Sequence, residues 1–120
     1  MNLKKFNEKE VEYKLEIMDE DLPVRDNIQA SGDDEDDRFV EDQILNRLEN
    51  GDTWAWCIIK VTAEWRGLKG VDYLGGCSYT NEKEFKMPGG YYEDMKVQAL
   101  NDLKNQIKEL QSKVCNIEVA

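Results

Sequence analysis

The stretch YYEDMKVQALNDLKNQIKELQSKV, residues 91 to 114, most restricts what this chain can become. Tyr92, Met95, Ala99, Leu103, Ile107, Leu110 and Val114 recur every three or four residues, so a helix gathers them on one stripe. Glu93 and Asp94 open the stretch and Lys104, Lys108 and Lys113 fall late, the sense favoured by the helix macrodipole. Such a helix has to bury its stripe against a second layer.

That layer is readable upstream. TWAWCIIKVTAEW, residues 53 to 65, is rich in aromatic and β-branched residues and predicts a long strand. On such a strand Trp54 and Trp56 share a face and Trp65 takes the other. RGLKG then turns the chain, and VDYLGGCSY predicts the return strand, with Gly75-Gly76 marking a bulge or a close backbone approach. Val11, Tyr13, Leu15 and Ile17 alternate with charged residues and predict a first strand with one wet face.

Residues 18 to 32, MDEDLPVRDNIQASG, form a long acidic loop, either mobile or functional at that length. A helix follows from near Ser31 to Asp34 as far as Glu49, with Val40, Ile44, Leu45 and Leu48 as its stripe and Asn50-Gly51 as its stop. NEKEF adds a short helical turn. The prediction is an α+β domain over residues 1 to 120 in the order β-α-β-β-α, a small antiparallel sheet of about three strands with two helices on one face. Residues 115 to 120 are expected to fray.

Charge narrows the function. The net charge is -10, and it is uneven: residues 1 to 50 hold 16 acidic and 7 basic side chains, residues 51 to 120 hold 10 and 9. Between residues 16 and 42, only Arg25 and Arg38 oppose 12 carboxylates. This field repels nucleic acid and anionic lipid and attracts basic protein surfaces or cations. No run of 18 apolar residues occurs and the first residues lack a signal-peptide core, which argues against membrane spanning and secretion.

Catalytic signatures are sparse. The chain has no histidine, the commonest acid-base group. Cys57, Cys77 and Cys115 form no CxxC pair, and an odd, sparse count suits reduced cytosolic thiols. Cys77 reads either as an exposed thiol after two glycines or, more simply, as a small buried strand residue. No phosphate-cradling glycine motif is present. The expectation is a non-enzyme without a cofactor or a metal.

SGDDEDDRF, residues 31 to 39, stands out instead. Ser31 or Asp33 suits an N-cap, and one or two acids in a first helical turn meet unpaired N–H groups. Asp33, Asp34, Glu35, Asp36 and Asp37 together exceed that need. A metal site is a weaker reading, because consecutive residues on a helix fan apart and the alternating calcium-loop pattern is absent. What remains is an ordinary helix start or an imitation of nucleic-acid phosphates. The second reading extends to Asp19, Glu20, Asp21, Glu41 and Asp42 as partner-binding residues.

VEDQILNRLENGDTWAWC, GLKGVDYLGGCSY and GGYYEDM, in that order, resemble a group of small proteins of tailed bacteriophages and prophages. The resemblance spans about Asp21 to Leu103. The group has no assigned activity, so it implies no catalytic residue; it implies a phage gene acting in the bacterial cytoplasm. Phage genomes encode many small acidic inhibitors of host defence nucleases. The expected partner is therefore a basic, nucleic-acid-handling host protein such as a CRISPR effector or restriction enzyme, with no direct contact to nucleic acid or membrane. The alternative is a structural or accessory module that homodimerises or docks through an aromatic sheet face and the C-terminal helix.

Overall fold

A computed structural model describes the backbone of residues 6 to 29 and 31 to 119, and side chains as far as residue 113. Strand β1 is Glu12–Asp19, helix α1 Asp34–Glu49, strand β2 Cys57–Trp65, strand β3 Leu68–Cys77, short helix α2 Glu82–Phe85 and helix α3 Tyr91–Val119. The sheet is antiparallel in the order β1-β2-β3. The α+β class and the order of elements are those the sequence predicts, with α2 as the expected extra turn. In the segment of residues 115 to 120 expected to fray, the backbone of residues 115 to 119 continues α3, while the side chains and residue 120 lie outside the described residues.

Alternation along β2 builds the main core. Cys57, Ile59, Val61, Ala63 and Trp65 are all buried on one face, and Leu15 and Ile17 of β1 pair beside Val61 and Ile59. Helix α3 lays Met95, Ala99, Leu103 and Ile107 on this face. Each large aliphatic side chain so buried contributes about 1.5 to 3 kcal/mol. The opposite face carries Glu12, Lys14, Glu16, Lys60, Glu64 and Lys69, so it needs no cover. Where α3 crosses β3 the backbones approach so closely that only Gly70 fits, and the Val71 N–H, on the sheet edge, donates to Asp102 of α3 at 2.9 Å.

The turn between β2 and β3 places Arg66 at φ 50° and Gly67 at φ 83°, the two left-handed positions of a two-residue hairpin. Upstream, the segment before β1 folds over this end of the core. Phe6 meets the Trp65 ring edge-on at 5.1 Å, the Trp65 indole N–H donates to Glu10 at 2.9 Å, and Glu8 pairs with Lys104 of α3.

Two sequence expectations are corrected. The second strand begins at Cys57, not Thr53, because Thr53–Ala55 form a 3-10 turn that carries the chain from the end of α1 into the sheet. Trp54 and Trp56 therefore do not share a strand face. Trp54 joins Phe85 and the main core, whereas Trp56 packs with Val24, Ile44 and Ala55 in a second, smaller core under α1. In α1, Ile44 is buried and Leu45 and Leu48 half-buried, but Val40 is 42% exposed and its neighbour Glu41 is buried instead.

Cys57 and Cys77 face each other in register across β2 and β3, both buried as thiols, which settles the alternatives for Cys77. Burial pushes the Cys57 thiol up to about 11 and the Cys77 thiol up to about 12. A thiol that ionises later in the folded than in the unfolded chain stabilises the fold at low pH and loses that contribution as pH rises. The window runs from the ordinary value of 9.0 to about 11 and about 12. Urea midpoints are expected to fall across that window, and a Cys57→Ala/Cys77→Ala variant should show a shallower fall. An equal slope in the variant would mean that other groups carry the alkaline loss.

Candidate partner-binding surface

The acidic run begins as a helix start. Asp33 is the N-cap of α1, in extended conformation, and its carboxylate accepts from the N–H groups of Glu35 at 2.9 Å and Asp36 at 3.3 Å. Asp37 reaches back and accepts from the Ser31 N–H at 3.0 Å. A cap of this kind is worth about 1 kcal/mol. Asp34, Glu35 and Asp36 are exposed, and among the described residues their carboxylates have no hydrogen-bond or ion-pair partner within the chain.

The other expected site residues divide. Glu41 is buried and accepts from the Asp26 N–H at 2.7 Å while pairing with Arg25 at 3.3 Å; Asp42 pairs with the same guanidinium at 2.5 Å. The hydrogen bond that the Arg25 guanidinium donates to Asp42, with the one it donates to Glu41, holds its pKa above the ordinary value. Glu41 and Asp42 thus fasten the acidic loop to α1. Asp26 sits at φ 64°, so the turn it makes is held by that carboxylate.

Glu20 is also structural. Its carboxylate accepts from the Gly76 N–H at 2.6 Å, at the bulge where Gly75 and Gly76 oppose Ile58. β1 runs to Asp19, so the loop expected from residue 18 starts at Glu20; it is further tied by the buried Val24 side chain and by the Trp56 indole N–H, which donates to the Leu22 carbonyl at 2.7 Å. Asp19 and Asp21 remain exposed and without in-chain partners among the described residues.

These acids do not form one continuous patch. Asp19 and Glu20 lie beside Leu48 and Gly51 at the C-terminal end of α1, whereas Asp33 to Asp37 are at its N-terminal end. From Asp34 to Leu48 the helix spans about 20 Å at 1.5 Å per residue. That exceeds the screening length of about 8 Å at physiological salt. The two clusters act as separate charges.

Between α1 and the end of β3 runs an open cleft of about 980 Å³. Ile44, Trp56, Leu74 and the Gly75-Gly76 bulge line it, with Val40, Asp36 and Asp37 on the α1 side and Tyr79 and Tyr91 on the other. Arg47 also reaches the cleft, but its guanidinium donates to Asp52 at 2.7 Å and to the Tyr79 carbonyl at 2.6 Å. Sequence reading missed this cleft, since it joins residues far apart in the chain. The paired glycines of LGGCSY were its one local signal.

The tryptophans offer no aromatic sheet face: Trp56 and Trp65 are buried and Trp54 half-buried, leaving Tyr73 exposed on β3. On α3, Leu110 is half-buried and Val114 lies outside the described side chains. Among the described residues no three of His, Cys, Asp and Glu converge as a metal site, and no helix is long and apolar enough to cross a membrane. Comparisons of the chain with protein families, with curated proteins and with solved structures give no match.

Proposed function

We propose that this chain is a non-enzymatic, phage-encoded protein that acts in the bacterial cytoplasm. It binds a basic, nucleic-acid-handling host protein, such as a CRISPR effector or restriction nuclease, and blocks the groove that would hold nucleic acid. The observation that carries this reading is the surplus at the start of α1. Asp33 and Asp37 suffice to cap the helix, yet Asp34, Glu35 and Asp36 add three exposed carboxylates that none of the described residues engages. Charges so placed gain little for stability and much for steering toward a cationic groove.

The test is displacement of a DNA duplex from a purified restriction endonuclease or CRISPR effector. Displacement should weaken as salt rises from 0.05 to 0.2 M, a range of roughly these values being where screening of exposed charge changes most. An Asp34→Asn/Glu35→Gln/Asp36→Asn variant keeps the Asp33 cap. At about 0.2 to 1 kcal/mol per exposed pair, it should lose about tenfold in affinity while melting almost unchanged. Undiminished displacement by this variant would remove the acidic turn from the mechanism.

A further inference from the structure

Resting on the reading that the partner is basic, we infer that the cleft between α1 and the end of β3 receives one segment of that partner, an apolar anchor side chain flanked by arginine or lysine. The cleft has the size of a recognition pocket, about 980 Å³, and an apolar floor of Ile44, Trp56 and Leu74. Its floor is kept low by glycine. A methyl group on Gly76 would stand 3.5 Å from the Trp56 ring, and the φ of 61° there disfavours any side chain. Val40 and Tyr91, on opposite sides, are 42% and 59% exposed and supply apolar contact area that none of the described residues covers.

Charge selects the occupant. Asp36 and Asp37 stand on the rim, and among the described residues the one cation lining the cleft, Arg47, is occupied by Asp52 and the Tyr79 carbonyl, so the rim stays negative. A second copy of this chain would bring a further charge of -10 to an acidic rim and is disfavoured. A segment with a central apolar anchor and flanking cations satisfies floor and rim together. Apolar anchors in desolvated pockets with charged rims are how interfaces gain both affinity and selectivity.

The experiment is an NMR titration of the isotope-labelled protein at physiological salt with three synthetic peptides. One carries leucine flanked by arginines, the second replaces that leucine by serine, and the third replaces the arginines by glutamates. The leucine-arginine peptide should shift the Trp56 indole N–H and the Gly75 and Gly76 amides, and bind at least about tenfold tighter than the serine peptide, the effect of burying one aliphatic side chain. Val40→Glu, at an exposed position, should abolish that preference without changing the melting curve.

Equal binding of the two arginine peptides, with shifts confined to Asp33 to Asp37, would overturn the cleft inference and leave the charge-based function standing. Binding of the glutamate peptide, or the same shifts produced by raising protein concentration alone, would assign the cleft to another occupant and also overturn it. If no peptide binds, the cleft inference fails alone, because displacement of DNA from the nuclease decides the broader reading independently.

Discussion

A Gly70→Ala variant is expected to lose about 3 kcal/mol or more of stability, a fall in Tm on the order of 10 °C for a domain of this size. A β-carbon at Gly70 would lie 2.2 Å from the Ala99 carbonyl oxygen and 2.3 Å from the Leu103 amide nitrogen. Both are backbone atoms of α3, so no side-chain rotation relieves the clash. To reach ordinary contact the helix has to move by about 1 Å, which opens a fully buried part of the core, where interiors tolerate little displacement. Ala99 and Leu103 are fully buried there, and the Val71 N–H bond to Asp102 belongs to the same crossing.

Gly75→Ala is the control for that argument. Its nearest neighbour would be Glu20 Oε1 at 2.9 Å, the mobile end of a long side chain. The carboxylate can withdraw at the expense of its hydrogen bond to Gly76, a loss of about 1 kcal/mol. Urea melts of the two variants therefore separate a helix-sheet clash from the general effect of adding a methyl group to β3. Similar midpoints for both would contradict the close crossing at Gly70.

What the chain discloses in advance depends on how local the cause is. The stripe of α3 and the alternation of β1 follow from periodicity alone, and both elements form where the pattern places them. The hairpin turn and the Gly75-Gly76 bulge follow from glycine chemistry and also appear. Thr53 to Trp56 mislead because their β-propensity is overridden by the reversal after Gly51, where the chain leaves α1 for the sheet. Val40 and Glu41 exchange their expected places for a tertiary reason. Glu41 is drawn inward by Arg25 and the Asp26 N–H, partners on a loop that helical spacing does not reveal.

The acidic surface shows the same limit. SGDDEDDRF announces a helix start, and Asp33 caps it. Composition alone treats every carboxylate from residue 16 to 42 as one field, whereas the fold spends Glu20, Glu41 and Asp42 on its own loop and leaves Asp34, Glu35 and Asp36 facing outward. The cleft is the least legible feature, since Ile44, Trp56 and Gly76 meet only after α1 has packed.

Trp56→Ala is expected to separate α1 from the sheet and to lower stability by about 3 to 5 kcal/mol, the usual range for removing a buried aromatic side chain. The second core consists of Val24, Ile44, Ala55 and Trp56 with Ile28, Leu45 and Leu48 around them, and among the described residues Trp56 is its only aromatic member. The indole also anchors the acidic loop through the Leu22 carbonyl. Its loss leaves α1 with few apolar contacts, while the main core of β2, β3 and α3 keeps all of its own. Hydrogen exchange should therefore show α1 and residues 20 to 28 losing protection before the sheet and α3 do. Under the proposed function, the same variant should displace DNA from its target more weakly although no charge has been removed, because Asp34 to Asp36 would no longer be held in one orientation. Uniform loss of protection across both cores would show a single cooperative unit, and unchanged displacement would show that the acidic turn acts without its scaffold.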